Sequence, residues 1–145
     1  MTGSTSTRTA TVWPTGAHAN TFGGNPVACA AGLKVLEIIE RSAMRNASKM
    51  GEHLSRRLAA IAAKHDHVFE ERGLSLMRAI EIVKSKSVRQ PDGARRDRIV
   101  NECFNRGLLL LGCGETAIRF LPALTVEKGH IDAACEILDS ALGVA

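Results

Sequence analysis

The chain predicts an α+β domain, with a small, mostly antiparallel sheet, helices packed on one side and a long linking helix before it. Three observations carry this expectation. Ala47, Met50, Leu54, Leu58 and Ile61 recur at three- and four-residue spacing, which gathers them on one helix face. Ile131, Ala134, Cys135, Leu138 and Leu142 repeat that pattern near the C-terminus. Between these stretches lie short apolar runs, so the whole order reads helix, helix, strand pair, helix, strand, strand, helix.

Taken in order, residues 1–12 read as a disordered tail, although Ala10 to Trp13 could add a short strand or an extended arm ending at Pro14. A helix is expected from Pro26 to about Glu40, with small residues in its first turns and Leu33, Leu36 and Ile39 later. A second helix spans roughly residues 43–64, and no proline or strong breaker separates the two, so they could form one long bent helix. Residues 68–70 and 76–84 read as strands joined across Arg72-Gly73, with Arg78 interrupting the apolar alternation of Leu76, Ile80 and Ile82. Residues 94–106 are expected to form a helix that buries Ile99, Cys103 and Phe104, closed by Gly107 as its C′ residue. Leu108 to Leu111 reads as a short buried strand, residues 112–115 as a turn, and residues 117–121 as a strand stopped by Pro122. Thr125 is expected to cap the final helix.

Composition narrows the function classes. With 145 residues the chain is one domain of ordinary size, and 45% apolar with 23% charged residues describes a soluble globular protein. Aromatics make up 3% and Tyr is absent, so base-stacking platforms for single-stranded nucleic acid are not expected. The net charge of +4 comes largely from scattered arginines beside acids, which reads as a solvated face rather than a nucleic-acid patch. Cys29, Cys103, Cys113 and Cys135 lie far apart, and buried free thiols in a reducing compartment are expected. No apolar run reaches the roughly 18 residues of a membrane span. The first nine residues contain no apolar signal core, and a cytoplasmic location is expected.

Two stretches invite chemistry. In Thr21-Phe22-Gly23-Gly24-Asn25-Pro26, paired glycines permit a tight turn, Asn25 suits an N-cap, and Pro26 suits the first helical position. A helix start of this kind can bind an anion, and it can equally be a plain turn into a helix. His65-Asp66-His67 has two histidines flanking an acid, but no third ligand cluster accompanies them, so a polar loop is expected and no metal.

The segment Ala17-His18-Ala19-Asn20-Thr21-Phe22-Gly23-Gly24-Asn25-Pro26-Val27-Ala28-Cys29-Ala30-Ala31 resembles the H-x-x-T-F-G-G-N-P-x-A-C-A-A segment of class III pyridoxal-phosphate aminotransferases. That family includes the 4-aminobutyrate, acetylornithine and ornithine aminotransferases. Further landmarks follow in family order: Arg72-Gly73 with Leu76-Met77 and Glu81, then Arg106-Gly107-Leu108-Leu109, then Ile118-Arg119-Phe120-Leu121-Pro122, then the helix holding Ile131 and Leu138. The likeness runs from about Trp13 to the C-terminus.

The resemblance implies the C-terminal small domain of a fold-type I enzyme, with residues 13–40 as an interface segment and linking helix and residues 41–145 as the domain itself. It implies pyridoxal 5'-phosphate as cofactor and a dimeric assembly. Thr21 would hydrogen-bond the cofactor phosphate in the partner subunit's site. Arg119 would bind the substrate α-carboxylate, a role that suits a planar guanidinium fork; read from its own stretch alone, it is a surface arginine pointing outward from a strand. In the family the Schiff-base lysine and the acid paired with the pyridine nitrogen lie upstream of the Thr21 segment. Here 20 residues precede Thr21 and the first lysine is Lys34, so the chain is expected to hold no catalytic residue and not to transaminate alone. The implied reaction is amino-group transfer from an amino acid such as 4-aminobutyrate to a 2-oxo acid. A related aminomutase or racemase, a non-catalytic association module and a basic RNA-binding protein are the alternatives. Where the family usually has R-G-x-G-L-M-x-G, Ser75 and Ala79 replace two glycines and Arg78 enters the strand. Pro122-Ala123 stands where Pro-Pro is common.

Overall fold

A computed structural model describes residues 21–144. The expected tail at residues 1–12, the possible arm at residues 10–13 and the segment up to Asn20 therefore lie outside the described residues. The chain divides into two compact units, Met1–Glu37 and Ile38–Ala145. In the first, a turn at residues 21–24 leads into α1 (Pro26–Ile38), and every residue of that helix is exposed. Asn25 caps it as expected, its Oδ1 accepting from the backbone N–H of Val27 at 2.9 Å and of Ala28 at 3.2 Å. Gly24 takes φ +77°, a conformation open to glycine at little cost.

The second unit begins with a single π-turn, Ile39–Ala43, and continues as α2 (Met44–Lys64). The expected stripe of α2 is buried in full, from Ala47 through Met50, Leu54 and Leu58 to Ile61. Four strands follow: β1 (Val68–Leu74), β2 (Met77–Ile82), β3 (Leu111–Cys113) and β4 (Ala117–Phe120), with α3 (Gly93–Asn105) between β2 and β3 and α4 (Lys128–Leu142) last. The sheet order is β1-β2-β4-β3 and every pairing is antiparallel. The expected α+β class is therefore correct. Helices α2 and α3 lie on the sheet, and α4 packs against both helices. One core joins the layers, built from Leu54, Leu58, Ile80, Ile82, Ile99, Ile118, Phe120 and Leu138 among others. Among the described residues no helix is long and apolar enough to cross a membrane.

Several boundaries differ from expectation, chiefly because of partners distant in the chain. The hairpin does not turn at Arg72-Gly73, because both residues stay in the ladder opposite Ala79 and Arg78. The turn is Ser75-Leu76, and Leu76 points into the core. The buried strand expected at residues 108–111 starts only at Leu111, where β4 supplies partners; Leu110 alone of its leucines is buried. Cys113, placed in the turn, is the last strand residue. Thr125 does not cap α4; Glu127 holds the cap position. Thr125 sits in a turn closed by Val126 N–H on the Ala123 carbonyl, and the Asn46 side chain binds the Leu124 and Val126 carbonyls. Those bonds hold the segment short of helical conformation. Phe104 is exposed, facing away from the core side of α3. Of the free cysteines, Cys103 and Cys135 are buried as expected, but Cys29 and Cys113 are exposed. Burial pushes the Cys103 thiol up to about 11 and raises Cys135 as well, so both stay protonated near neutral pH.

Arg78 explains itself once β1 is placed beside it. Its guanidinium pairs with Glu71 at 2.9 Å, both side chains being mostly covered, and its Nε donates to the Ser75 carbonyl at 3.0 Å. Ser55 of α2 donates to the same glutamate. The charge on the helix-facing side of β2 is thus met by an opposite charge rather than left bare.

Ser75 has φ +53° at the first central position of a two-residue hairpin turn, where a type II′ turn prefers glycine. A serine there carries left-handed strain that glycine would relieve, offset in part by glycine's freer unfolded state. Ser75→Gly is expected to raise stability by about 0.5–1 kcal/mol. Urea unfolding measures this, and a lower midpoint would show that the seryl side chain holds the turn.

Ion pairs tie α4 back to α2. Asp132 accepts from Lys128 at 2.5 Å and meets His53 at 2.7 Å, while Asp139 meets Lys64 and His65, each at 2.6 Å. His65 of the histidine pair thus serves the interhelix contact. Lys128 first, then His53, hold the Asp132 carboxyl down at about 2; Lys64 first, then His65, lower Asp139. Lowered folded values mean that these carboxylates stabilise the fold above the ordinary carboxyl range and lose that contribution as pH falls through their folded values. Urea midpoints are expected to fall between about pH 4 and pH 2. The Asp132→Asn/Asp139→Asn double variant is expected to show a flatter profile over that window.

Candidate functional site

The two residues singled out in the sequence fall in different units. Thr21 opens the turn of the first unit, exposed, and its hydroxyl makes no hydrogen bond among the described residues. The helix start behind it is less open than its composition suggests. Pro26 has no N–H, Val27 and Ala28 donate to the Asn25 side chain, and Cys29 donates to the Asn25 carbonyl at 2.9 Å. Among the described residues the first turn of α1 has therefore no spare donor, which favours the plain turn of the two readings its residues allowed. What remains for a phosphate oxygen is the Thr21 hydroxyl with the N–H groups of Phe22, Gly23 and Gly24, none of which has a backbone partner among the described residues. That set fits one edge of a phosphate. It is not a full cradle.

Arg119 lies at the middle of β4, with Ala79 of β2 on one side and Leu111 of β3 on the other. Ile118 and Phe120 point into the core, so Arg119 stands on the opposite face of the sheet, turned away from that core. It also lines a cavity of about 400 Å³. The walls are apolar, chiefly Leu54, Leu109, Leu111, Phe120, Leu121 and Ile131, and His130 adds an imidazole from the first turn of α4. No acid pairs with Arg119 among the described residues. By contrast Arg72, in the same row of the sheet, meets Glu81 at 2.7 Å and Glu70 at 3.2 Å. One arginine of this face is neutralised by the fold. The other has no acid partner among the described residues and belongs to a strand that walls the apolar groove, and an unpaired guanidinium fork is what a carboxylate on a largely apolar or neutral ligand requires.

Inspection of the sequence missed His130, Leu109 and Leu111 as groove residues. Their only signal was proximity to Ile131 and to the leucine run, because a groove between β3, β4 and α4 exists only after those elements are stacked.

The sequence model for aminotransferase class III matches residues 2–142. The chain belongs to the class III aminotransferase family. Among its curated relatives, the acetylornithine aminotransferase of Nostoc sp. is 38% identical over 133 residues, covering 90% of this chain and 30% of the relative. The 4-aminobutyrate aminotransferase of Escherichia coli is 36% identical over 126 residues, covering 85% of this chain and 30% of the relative. Solved structures agree in fold. An aminotransferase from Bacillus anthracis superposes with a TM-score of 0.81 at 32% identity, over 88% of this chain and 30% of that protein. An amine transaminase from an uncultivated Pseudomonas species, solved in its PLP-bound form, gives a TM-score of 0.78 at 35% identity, over 87% of this chain and 29% of that protein. The chain thus spans about 30% of the length of these class III relatives. Pyridoxal phosphate is the family's cofactor.

Proposed function

We propose that this chain supplies the small domain and an interface segment of a pyridoxal-phosphate aminotransferase that moves an amino group from an amino acid to a 2-oxo acid. The observation that carries the reading is Arg119, a guanidinium without an acid partner among the described residues, on a strand that also walls an apolar groove. In this role it binds the substrate α-carboxylate by paired charge-assisted hydrogen bonds, which fixes the orientation of the amino or keto carbon. The Thr21 hydroxyl donates to a phosphate oxygen of the cofactor held by a partner subunit, with Gly23, Gly24 and Asn25 shaping the turn. When bound, the cofactor supplies the electron sink for the carbon that exchanges its amino group. Residues 13–40 form the interface segment and linking helix, residues 41–145 the small domain and residues 1–12 a tail. The exposed Phe22, Leu33 and Leu36 support pairing with a second copy. Relatives that act on 4-aminobutyrate and acetylornithine point to amino acids with a second polar end as substrates, and the reading places the protein in the cytoplasm.

The lysine that links the cofactor is not among residues 1–33, so the chain as it stands is read as catalytically incomplete. Pyridoxal phosphate mixed with it is expected to give no lysine-dependent visible band and no transamination; such a band, or turnover, would overturn that part. The carboxylate role has its own test. Adding 2-oxoglutarate to the ¹⁵N-labelled chain is expected to move the Arg119 side-chain resonance, and Arg119→Met is expected to abolish binding. An unmoved resonance sinks the assignment.

A further inference from the structure

The open face of the sheet holds a glutamate close to Arg119 that does not pair with it. Across the strands, Arg72, Ala79, Arg119 and Leu111 are register partners and share that face. Glu81 lies two residues along β2 from Ala79, opposite Ala117, which makes it the diagonal neighbour of Arg119. Diagonal neighbours sit roughly 7–8 Å apart, within reach of two long side chains. A carboxylate tethered at that range competes with an external carboxylate at high effective concentration.

Both oxygens of Glu81 are engaged elsewhere. Oε2 lies 2.7 Å from Nη2 of Arg72, and Oε1 accepts the hydroxyl of Thr116. Thr116 is buried, and its carbonyl accepts the Ile82 N–H at 3.2 Å, so its hydroxyl is delivered from a fixed backbone. Arg72 is steadied in turn by Glu70 at 3.2 Å. Between the two arginines stands Ala79, whose side chain offers no polar atom of its own.

We infer that Arg72 is a positioning residue for the carboxylate site: with Thr116 it draws Glu81 away from Arg119 and so keeps the Arg119 guanidinium open to substrate. This rests on the reading of Arg119 as the carboxylate-binding group. Removing Arg72 frees one oxygen of Glu81 to turn toward Arg119, its diagonal neighbour. The substrate carboxylate then has to displace a resident one.

The test titrates 2-oxoglutarate into the ¹⁵N-labelled chain and follows the Arg119 Nε–Hε resonance. Arg72→Met is expected to weaken binding about two- to fivefold, the size of a partly exposed ion pair, and to move the Arg119 resonance before any ligand is added. Arg72→Met/Glu81→Gln is expected to restore both, since a neutral amide cannot quench the guanidinium. Thr116→Val, close to isosteric, is expected to shift both readouts in the direction of Arg72→Met. Rescue by Glu81→Gln separates positioning from general damage to the fold. Wild-type binding with an unshifted resonance in Arg72→Met would overturn the inference while leaving the carboxylate role standing. An Arg119 that ignores 2-oxoglutarate in the wild-type chain would overturn both.

Discussion

Gly51→Ala is expected to destabilise the fold by about 1–3 kcal/mol, and Gly51→Val by more. The sign is the informative part. In an exposed helix interior, replacing glycine by alanine stabilises by about 1 kcal/mol. Gly51 lies inside α2, yet its backbone passes so close to the β1–β2 turn that a Cβ would meet the Ser75 carbonyl carbon at 2.3 Å and its oxygen at 2.4 Å. Those atoms belong to backbone already constrained by the positive φ of Ser75, and the carbonyl accepts from Arg78. Neither the helix nor the turn can yield without loosening the Arg78–Glu71 pair beside them. Urea unfolding of Gly51→Ala decides the point, and a stabilised variant would refute the close approach.

Leu58→Ala is expected to cost about 3–5 kcal/mol. Leu58 is 0% exposed and sits at the centre of the buried α2 stripe, in the core shared by the helices and the sheet. The core it belongs to is built from apolar side chains on helices and strands, so the hole left by truncation is expected to collapse poorly. A loss of that size is a large part of the roughly 5–15 kcal/mol that holds a domain of this kind together. The unfolding midpoint is expected to fall steeply with little change in the slope of the transition. A loss under about 1 kcal/mol would mean that the core repacks around the gap.

Much of this protein was legible in its residues. The α2 and α4 stripes, the Asn25 cap, the closing of α3 at Gly107 (φ +88°) and the α+β order all follow from local periodicity and capping chemistry, which act over a few neighbouring residues. Family membership was legible too, because the Thr21–Pro26 turn and the Arg119 strand carry side chains whose identity matters more than their surroundings. The sites were only half legible. Composition allowed either a helix end open to an anion or a plain turn, and only the bonds of the Asn25 side chain and carbonyl show its donors occupied.

Long-range pairing decided the rest. Whether Arg72-Gly73 or Ser75-Leu76 makes the turn depends on the ladder between β1 and β2, and where β3 begins depends on β4. The contrast between Arg72, paired twice, and Arg119, left open, is invisible along the chain. It comes from sheet register, which sets Glu81 beside Arg72 and Thr116 while burying Ile118 and Phe120 on the other face. By itself the sequence determined which side chains could bind a carboxylate; only the stacking of strands and helices decided which one is free to do so, because charge neutralisation depends on neighbours in space.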